Sequence, residues 1–452
     1  MDANQQPRSS ILMLPWLPHV HVSSYLELAK KFSDKNFDVY FCSTPVTLKQ
    51  VRESLANQTK TYSIQLVDLH LPNDFPELPP HYHTTKDLPP NLMNTLKAAL
   101  DGAKPAFGEI LKTLKPNLLI YDFIQPWAPA EADNHDIKSV MFYPGCAASI
   151  AYMVFYSRNN PTVEYPFPAL DFPEIQRQKI GQFMHMHTAN GLTNIGRFSE
   201  CAERSEKMVL INTLSDIEAK HIDFLSGLLG KEMVPVGPLV EEPTNNNNDS
   251  VVMDWLNKKH PSSVVYASFG TEYFLSMEEM EELAYGLELS GVSFIWVVRF
   301  HGDDFRGKHS IDEVLPEGFL KRVGDRGMVL DGWVPQAKIL QHPNTGGFLS
   351  NCVWNSTVEG MINGVPIIAM PMKVDQPMNA KLVVEVGVGI EVPRVDGKFK
   401  REELTRVIEE VVKQEKGKEV RMKATELSHK LKERGDMDIN FAVDKLVQLL
   451  NE

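Results

Sequence analysis

Cysteine is scarce in this sequence: Cys42, Cys146, Cys201 and Cys352 are the only four in 452 residues, and no two form a CxxC pair. This spacing argues against a zinc site or a dense disulfide framework and favours a reducing compartment. No apolar run approaches the roughly 18 residues of a membrane span. The N-terminus, MDANQQPRSSILMLPWLP, lacks the charge pattern and apolar core of a secretory signal. We therefore expect a cytoplasmic protein without stable membrane insertion.

Positive charge is also in deficit, because 46 Lys and Arg face 59 Asp and Glu and leave a net charge of −13. Such a field repels phosphate backbones, so no nucleic-acid partner is expected. The motifs GxGxxG, GxxxxGK[ST] and HExxH are missing, which disfavours dinucleotide dehydrogenases, P-loop enzymes and zinc proteases. The pair Asp436 and Asp438 lies on the charged lead-in to the terminal helix and not after a buried strand. We therefore predict no metal site.

Short apolar runs of strand length alternate with helical patterns along the whole chain. Examples are SILMLPWL, NLLIYDF, SVVYASFG and GGFLSN. This alternation predicts an α/β protein with two doubly wound parallel sheets. A polar Asn-rich segment predicts a linker at 239–252, between an N-terminal domain (1–238) and a C-terminal domain (253–430). The apolar spacing of 431–452 predicts a helix that packs back on the N-terminal domain.

The most informative stretch runs from Trp333 to Gln376. Within it, GGFLS is predicted to be a strand, NCVWNS a turn and STVEGM the start of a helix. Backbone N–H groups near Trp354, Asn355 and Ser356 would then lie at a helix N-terminus, which is a ready anion site. The same residues are equally typical of plain helix caps, so the pattern alone leaves both interpretations open.

The whole stretch, WVPQAKILQHPNTGGFLSNCVWNSTVEGMINGVPIIAMPMKVDQ, resembles the donor-binding box of plant family-1 UDP-sugar glycosyltransferases. Phrases outside the box, such as LELAKKF, IYDFIQPWAP and SFGTEYFLS, and DQPMNAKLV at its end, resemble one branch of that family. Its members add a sugar to a sugar already attached to a small natural product. The resemblance covers nearly the whole chain. It implies the GT-B fold, in which two Rossmann-like domains face each other across a cleft.

The resemblance assigns donor-binding roles to residues of the box. It implies that Trp333 stacks on uracil and that the backbone of Val334 and Gln336 reads the edge of the base. Glu359 would accept hydrogen bonds from the ribose hydroxyls.

Further donor-binding roles concern the diphosphate and the sugar. The diphosphate would be held by Thr271, Asn355 and Ser356. Asp375 and Gln376 would bind sugar hydroxyls, and Trp354 would shape the sugar pocket. Gln376 favours glucose by resemblance, so UDP-glucose is the expected donor substrate, with no permanently bound cofactor.

A histidine in the first turn, PWLPHVHVSS, is the candidate base. The family places its catalytic histidine just before the first helix, and the match falls on His21; His19 would serve if the turn is shifted. Asp122, in LLIYDF, matches the carboxylate that orients this histidine and stabilises its protonated form. The implied reaction is an inverting, metal-independent transfer, with the helix N-terminus stabilising the departing diphosphate.

Three positions depart from the family pattern. Asn351 replaces a histidine, which exchanges a charge-assisted bond for a neutral one at a cost of about 1 kcal/mol. Val353 replaces a glycine and is expected to hinder a positive φ or a close backbone approach, and Val20 replaces the glycine before His21. We therefore expect weakened donor binding, relieved by Asn351→His with Val353→Gly.

The expected function is transfer of glucose to a sugar hydroxyl of a flavonoid or terpenoid glycoside. Glucosylation of an aglycone hydroxyl and a catalytically weakened UDP-sugar-binding protein are the alternatives. The acceptor pocket is expected from Pro72–Pro90, Gly145–Tyr165 and the segment 173–207. Large residues there suit either an apolar acceptor or the core: Tyr152, Met153, Phe155 and Met184. A monomer is expected.

Overall fold

The structure is a computed structural model, and the chain divides into two compact units. The first comprises Met1–Glu241 with Asp436–Glu452, and the second Glu242–Gly435. The described residues are 8–58, 60–241, 250–270, 273–299, 310–332 and 334–452. Residues 242–249 of the predicted linker therefore lie outside them.

The first unit is built on a parallel sheet with the strand order β3-β2-β1-β4-β5-β6-β7. Its strands are rich in β-branched and aromatic residues, and β4 is buried at every position, as expected for strands covered on both faces. The strands are β1 (Ser10–Leu14), β2 (Asp38–Ser43), β3 (Ile64–Asp68), β4 (Leu118–Asp122), β5 (Lys138–Tyr143), β6 (Met208–Ile211) and β7 (Glu232–Pro235).

Helices connect these strands, as parallel pairing requires. They are α1 (His19–Asp34), α2 (Pro45–Ala56), α3 (Met93–Gly102), α4 (Lys104–Leu114), α5 (Trp127–Asp133), α6 (Ala147–Arg158), α7 (Glu174–Met184), α8 (Asn194–Arg204) and α9 (Ser215–Leu229). Short 3₁₀ turns lie at Pro80–Tyr82, Pro90–Leu92, Pro168–Leu170 and Ala189–Gly191.

The second unit has a parallel sheet of its own, with the order β10-β9-β8-β11-β12-β13. Its strands are β8 (Val264–Ser268), β9 (Ser293–Val298), β10 (Gly327–Asp331), β11 (Thr345–Ser350), β12 (Ile367–Ala369) and β13 (Gly389–Glu391). Its helices are α10 (Ser250–Asn257), α11 (Met277–Leu289), α12 (Ile311–Val314), α13 (Phe319–Val323), α14 (Gln336–Gln341), α15 (Trp354–Ile362), α16 (Gln376–Val386), α17 (Arg401–Lys413) and α18 (Glu415–Arg434), with a 3₁₀ turn at Gly324–Arg326.

The two sheets confirm the prediction of a doubly wound α/β protein. In each sheet the strand order reverses direction once, between β1 and β4 and between β8 and β11. Loops that leave the carboxyl ends of such neighbouring strands diverge and open a crevice, which is where ligands bind in open α/β sheets. Functional residues are therefore expected in the loops at these two switch points.

The C-terminal helix, α19 (Met437–Asn451), belongs to the first unit. Its buried residues Ile439, Ala442 and Leu446 join the same hydrophobic core as β1 and α1. The boundary expected after residue 430 falls inside α18, because that helix continues to Arg434 and ends at Gly435, where φ is 56°.

The Asp-x-Asp pair is engaged within this first unit. Asp436 accepts a hydrogen bond from Lys31 at 2.7 Å, and Asp438 accepts one from Ser215 at 3.0 Å. Within the described ranges, no cluster of three or more metal-ligating side chains occurs. In the same part of the chain, no helix combines the length and apolar character needed to cross a membrane.

Candidate active site

The switch point of the first sheet joins a histidine to a buried carboxylate. His21 lies in the first turn of α1, which follows β1, and Asp122 is the last residue of β4. His21 Nδ1 lies 2.8 Å from Asp122 Oδ2. The Asp122 side chain is fully buried, whereas 15% of the His21 side chain is exposed. A carboxylate at Nδ1 favours the tautomer with the proton there, and so makes Nε2 the basic nitrogen.

The backbone around this pair is held by further hydrogen bonds. Asp122 Oδ2 also accepts from the Trp16 N–H at 3.2 Å. Gln125 is fully buried, donates to the Pro15 carbonyl at 3.1 Å and accepts from the Asp122 N–H at 3.4 Å. These bonds join the loop after β1 to the loop after β4, so the position of the carboxylate relative to the imidazole is set by the fold.

The helix start differs from what the sequence predicted. The candidate base was expected just before the first helix, but α1 already begins at His19, and the Pro18 carbonyl accepts from the N–H of His21 at 3.0 Å. Val20 consequently has a helical backbone, and its carbonyl accepts from the Ser24 hydroxyl at 2.8 Å. The concern that Val20 distorts the turn is thus wrong, because a helical position does not need glycine.

An aromatic cluster that the sequence analysis did not identify lies beside the histidine. The Phe123 ring is half-buried, with its centroid 5.6 Å from that of His21 and 5.0 Å from that of Tyr143. Phe198 packs edge-on against both Phe123 and Tyr143. Phe123 directly follows Asp122 at the carboxyl end of a buried strand, and this position in the sequence would have marked it as a candidate site residue.

A cavity of about 490 Å³ lies at the carboxyl ends of β2 and β3. That volume lies within the usual range for small-molecule sites. It is lined by Pro45, Val46, His70, Leu71, Asn73, Pro80, His81 and His83. Burial lowers the pKa of His83, and nearby His70 and His81 lower it further. The cavity thus combines apolar walls with imidazole and amide groups suited to hydrogen bonding, and it includes part of the predicted segment Pro72–Pro90.

The large residues that suited either an apolar acceptor or the core are buried. Each of these side chains is at most 8% exposed; they are Tyr152, Met153, Phe155 and Met184. The centroid of Tyr152 lies 4.6 Å from that of Tyr165, within an aromatic cluster. Helix α6 is buried on all sides and therefore only weakly amphipathic. This burial agrees with core packing, the interpretation that the sequence favoured for each of these residues singly.

The N-terminus of α6 is anchored by a buried acid. Glu218 of α9 is fully buried and accepts from the Ala148 N–H at 2.8 Å and from the Thr213 hydroxyl. Burial raises the pKa of Glu218 to about 7, although these hydrogen bonds oppose the shift.

The switch point of the second sheet contains the turn predicted to bind phosphate. Three residues, Asn351 to Val353, separate β11 from α15. Asn351 is 2% exposed, and its side-chain amide donates to the Phe269 carbonyl at 2.8 Å. This bond joins the loop after β11 to the loop after β8. Asn351 therefore holds two loops of the switch point together. This bond to a carbonyl needs only a neutral donor, which the side-chain amide supplies.

Val353 does not strain this turn, contrary to the sequence expectation. Its φ of −60° and ψ of 134° are ordinary for a β-branched residue, and the left-handed conformation falls on Cys352, with a φ of 62°. Val353 is the N-cap residue of α15, and its own side chain makes no capping hydrogen bond. The first-turn amides belong to Trp354, Asn355 and Ser356, as predicted, and Trp354 is 2% exposed.

The predicted base- and ribose-binding residues form one hydrogen-bonded group. Gln336 Nε2 donates to Glu359 Oε2 at 2.7 Å and to the Ser356 hydroxyl at 3.3 Å, and its Oε1 accepts from Tyr266 at 3.1 Å. Val334 precedes α14, and its carbonyl accepts from the Gln336 N–H at 2.8 Å. The side chain of Gln336 thus orients Glu359, a role the sequence analysis had not included. Trp333 and Thr271 lie outside the described residues.

The predicted sugar-binding pair lies where β12 leads into α16. Gln376 is 4% exposed, and its Oε1 accepts from the N–H groups of Met372 and Lys373 at 2.9 and 3.0 Å. That oxygen therefore shapes the loop, and the remaining Nε2 is the atom suited to a ligand. Asp375 Oδ2 accepts from Asn379 Nδ2 at 2.9 Å. Asn379 was not singled out from the sequence, although its place four residues after Asp375 puts it on the same helical face.

Comparison with known proteins identifies the class. Residues 8–241 match a family described as glycosyltransferase, N-terminal domain, and residues 232–438 match UDP-glucoronosyl and UDP-glucosyl transferase. A flavanone 7-O-glucoside 2''-O-beta-L-rhamnosyltransferase from Citrus maxima is 48% identical over 456 residues, covering 100% of both chains. A beta-D-glucosyl crocetin beta-1,6-glucosyltransferase from Gardenia jasminoides is 45% identical, covering 97% of this chain and 99% of the relative.

A solved structure agrees at the level of the fold. A Glycyrrhiza uralensis protein complexed with glycyrrhetinic acid 3-O-monoglucuronide superposes with a TM-score of 0.83 at 22% identity, covering 98% of this chain and 96% of that one. The fold is GT-B. The chain belongs to the UDP-glucoronosyl and UDP-glucosyl transferase family, and within it to the plant family-1 UDP-sugar glycosyltransferases. It is a UDP-glycosyltransferase, with a UDP-sugar as donor and a small molecule as acceptor.

Proposed function

We propose that this enzyme transfers glucose from UDP-glucose to a hydroxyl of a sugar already attached to a small natural product, such as a flavonoid or terpenoid glycoside. The transfer inverts the anomeric configuration and needs no metal ion. Support for the acceptor class comes from two relatives whose names specify a glucoside as acceptor, from Citrus maxima and Gardenia jasminoides.

The observation that carries this proposal is the 2.8 Å contact between His21 and the buried Asp122 at a sheet switch point. In the proposed reaction, His21 Nε2 removes the proton from the acceptor hydroxyl as its oxygen attacks the anomeric carbon. The imidazolium that forms is stabilised by the Asp122 carboxylate at Nδ1. The Trp16 N–H, which donates to Asp122 Oδ2, and Gln125, which bonds the Asp122 N–H and the Pro15 carbonyl, keep this carboxylate in place.

The donor half of the proposal assigns charge stabilisation to the start of α15. Amide groups of its first turn, with the Asn355 and Ser356 side chains, hold the diphosphate, and the helix dipole stabilises the charge that develops on the leaving UDP. Glu359, oriented by Gln336, accepts from the ribose hydroxyls. Asp375 and the Gln376 amide nitrogen bind the sugar.

The local conformations favour an active enzyme over a weakened UDP-sugar-binding protein. The two substitutions expected to distort the site, Val20 and Val353, both occupy backbone conformations that valine adopts readily. A rhamnosyl donor is the second candidate, since the relative from Citrus maxima is named for transfer of rhamnose.

The acceptor is proposed to use the 490 Å³ cavity at β2 and β3 for part of its body. Strand β2 lies beside β1, whose carboxyl end leads to His21, so an extended glycoside could place its sugar at the base and its aglycone in the cavity. The hydrogen-bonding side chains His70, Asn73 and His81 suit a hydroxylated aglycone.

The test is UDP release with UDP-glucose or UDP-rhamnose against a panel that pairs each aglycone with its monoglucoside. We expect release with UDP-glucose and the glucosides, and none with the free aglycones. Equal rates of UDP release with aglycones and glucosides would favour aglycone glucosylation. Faster UDP release from UDP-rhamnose than from UDP-glucose would identify rhamnose as the transferred sugar. UDP binding without turnover in any pair would favour the weakened binding protein.

A further inference from the structure

Asn379 connects the two loops assigned to the diphosphate and to the sugar. Its side-chain Nδ2 donates to the Cys352 carbonyl at 2.9 Å and to Asp375 Oδ2 at 2.9 Å. The residue is fully buried on α16. Cys352 belongs to the turn before α15, and Asp375 immediately precedes α16, so one amide group fixes both.

The Cys352 bond stabilises a backbone conformation that is otherwise unfavourable. Cys352 has a φ of 62°, and a non-glycine residue in this region is strained unless its surroundings hold it. Its N–H donates to the Ser350 hydroxyl at 3.1 Å, and its carbonyl accepts from Asn379. With both polar groups bonded, the turn keeps the shape that starts α15 at Trp354.

The Asp375 bond fixes the orientation of a carboxylate. Asp375 is partly exposed, so without a partner its side chain would sample several rotamers. A hydrogen bond to one carboxylate oxygen restricts its orientation. An amide NH2 is the small neutral group that can donate two bonds at once, to a carbonyl and to a carboxylate, without adding charge.

We infer that Asn379 is a positioning residue for donor selection, which couples the diphosphate turn to the sugar-binding carboxylate. This inference rests on the proposed role of Asp375 in binding the sugar. Loss of Asn379 should then weaken the binding of UDP-glucose more than that of UDP, since UDP lacks the group that Asp375 would contact.

The experiment measures dissociation constants of UDP and UDP-glucose by calorimetry for the full chain and for Asn379→Ala. The ratio of the two constants removes any effect common to both ligands. We expect the dissociation constant of UDP divided by that of UDP-glucose to fall about tenfold in Asn379→Ala, the order of one hydrogen bond to a charged group. Asn379→Ser keeps a polar side chain too short for both acceptors and serves if the alanine variant folds poorly.

Asn344→Ala is the matched control. Asn344 is a buried amide of the same unit, and its Nδ2 donates to the Leu256 and Lys259 carbonyls at 2.9 and 2.8 Å. It immediately precedes β11, at the opposite end of that strand from Asn351. Asn344→Ala should lower the stability of the protein and leave the ratio of the UDP and UDP-glucose dissociation constants unchanged. If this ratio changed equally in Asn344→Ala and Asn379→Ala, the inference would be overturned.

A double-mutant cycle separates this inference from the proposed function. With Asp375→Ala as the background, Asn379→Ala should no longer change the ratio, because the carboxylate that it positions is gone. If Asp375→Ala alone leaves the ratio at the wild-type value, the proposed sugar-binding role fails. If Asp375→Ala lowers the ratio and Asn379→Ala does not, that role stands and the positioning role of Asn379 is refuted.

Discussion

Replacing Asp122 by asparagine tests the pairing of His21 with a buried charge. A carboxylate and an imidazolium whose charges lie about 4 Å apart attract by about 4 kcal/mol at an effective dielectric of 20. Their bonded atoms are 2.8 Å apart and Asp122 is fully buried, so solvent screening removes little of this. A neutral amide keeps about 1 kcal/mol as a hydrogen bond. The difference of about 3 kcal/mol predicts a fall in kcat of about a hundredfold.

The assay is UDP release at saturating donor and acceptor, with Asp438→Asn as the control. Asp438 is 4% exposed and lies in the same unit, where it accepts from Ser215, so the control tests removal of a buried charge away from His21. It should leave kcat within about twofold. In a His21→Ala background, Asp122→Asn should add little further loss, because both residues act as one unit. An Asp122→Asn enzyme that retains a third of the wild-type kcat would refute the pairing.

Three further outcomes follow from the structure. Val353→Gly should leave the dissociation constant for UDP-glucose within about twofold, because the φ of −60° at this position needs no glycine. The melting temperature should fall, because glycine loses about 1 kcal/mol more conformational entropy on folding. Tighter binding of UDP-glucose by this variant would contradict the account. Asn351→Ala should destabilise the protein by about 1–3 kcal/mol in denaturant titrations, because the buried Phe269 carbonyl loses its donor; an unchanged midpoint would count against that bond. The contribution of Glu218 to the free energy of unfolding should fall by about 3 kcal/mol as pH rises from 4.5 to 7, because burial raises the pKa of Glu218 to about 7 and the folded state keeps a proton that the unfolded chain releases. Glu218→Gln should flatten this dependence in melting experiments.

Much of the fold was predictable because strands buried on both faces appear as apolar runs separated by helical patterns. The segment NLLIYDF contains β4 and GGFLSN covers most of β11, and each ends in residues of a switch point. The ends of elements were less predictable. The start of α1 at His19 depends on a proline-preceded turn whose backbone was not evident from spacing, and α18 ends where Gly435 adopts a positive φ.

The candidate site was predictable in residue types but not in conformations. The sequence paired His21 with Asp122 only through resemblance, and three-dimensional structure supplies the contact. Which residue of the turn after β11 has a positive φ could not be read from the residue types: glycine is usual at position 353, yet Cys352 adopts that conformation. Asn379 was missed because its two acceptors are a backbone carbonyl and a carboxylate brought together by folding.

The central claim, inverting transfer of glucose to the sugar of a glycoside, is tested most directly by the structure of the product. The enzyme would be incubated with UDP-glucose and a monoglucoside, and the linkage determined by NMR. The account predicts a β-configured glucosyl group attached to a hydroxyl of the first sugar, and its loss in His21→Ala. An α linkage, or a new glucose attached to the aglycone itself, would contradict it.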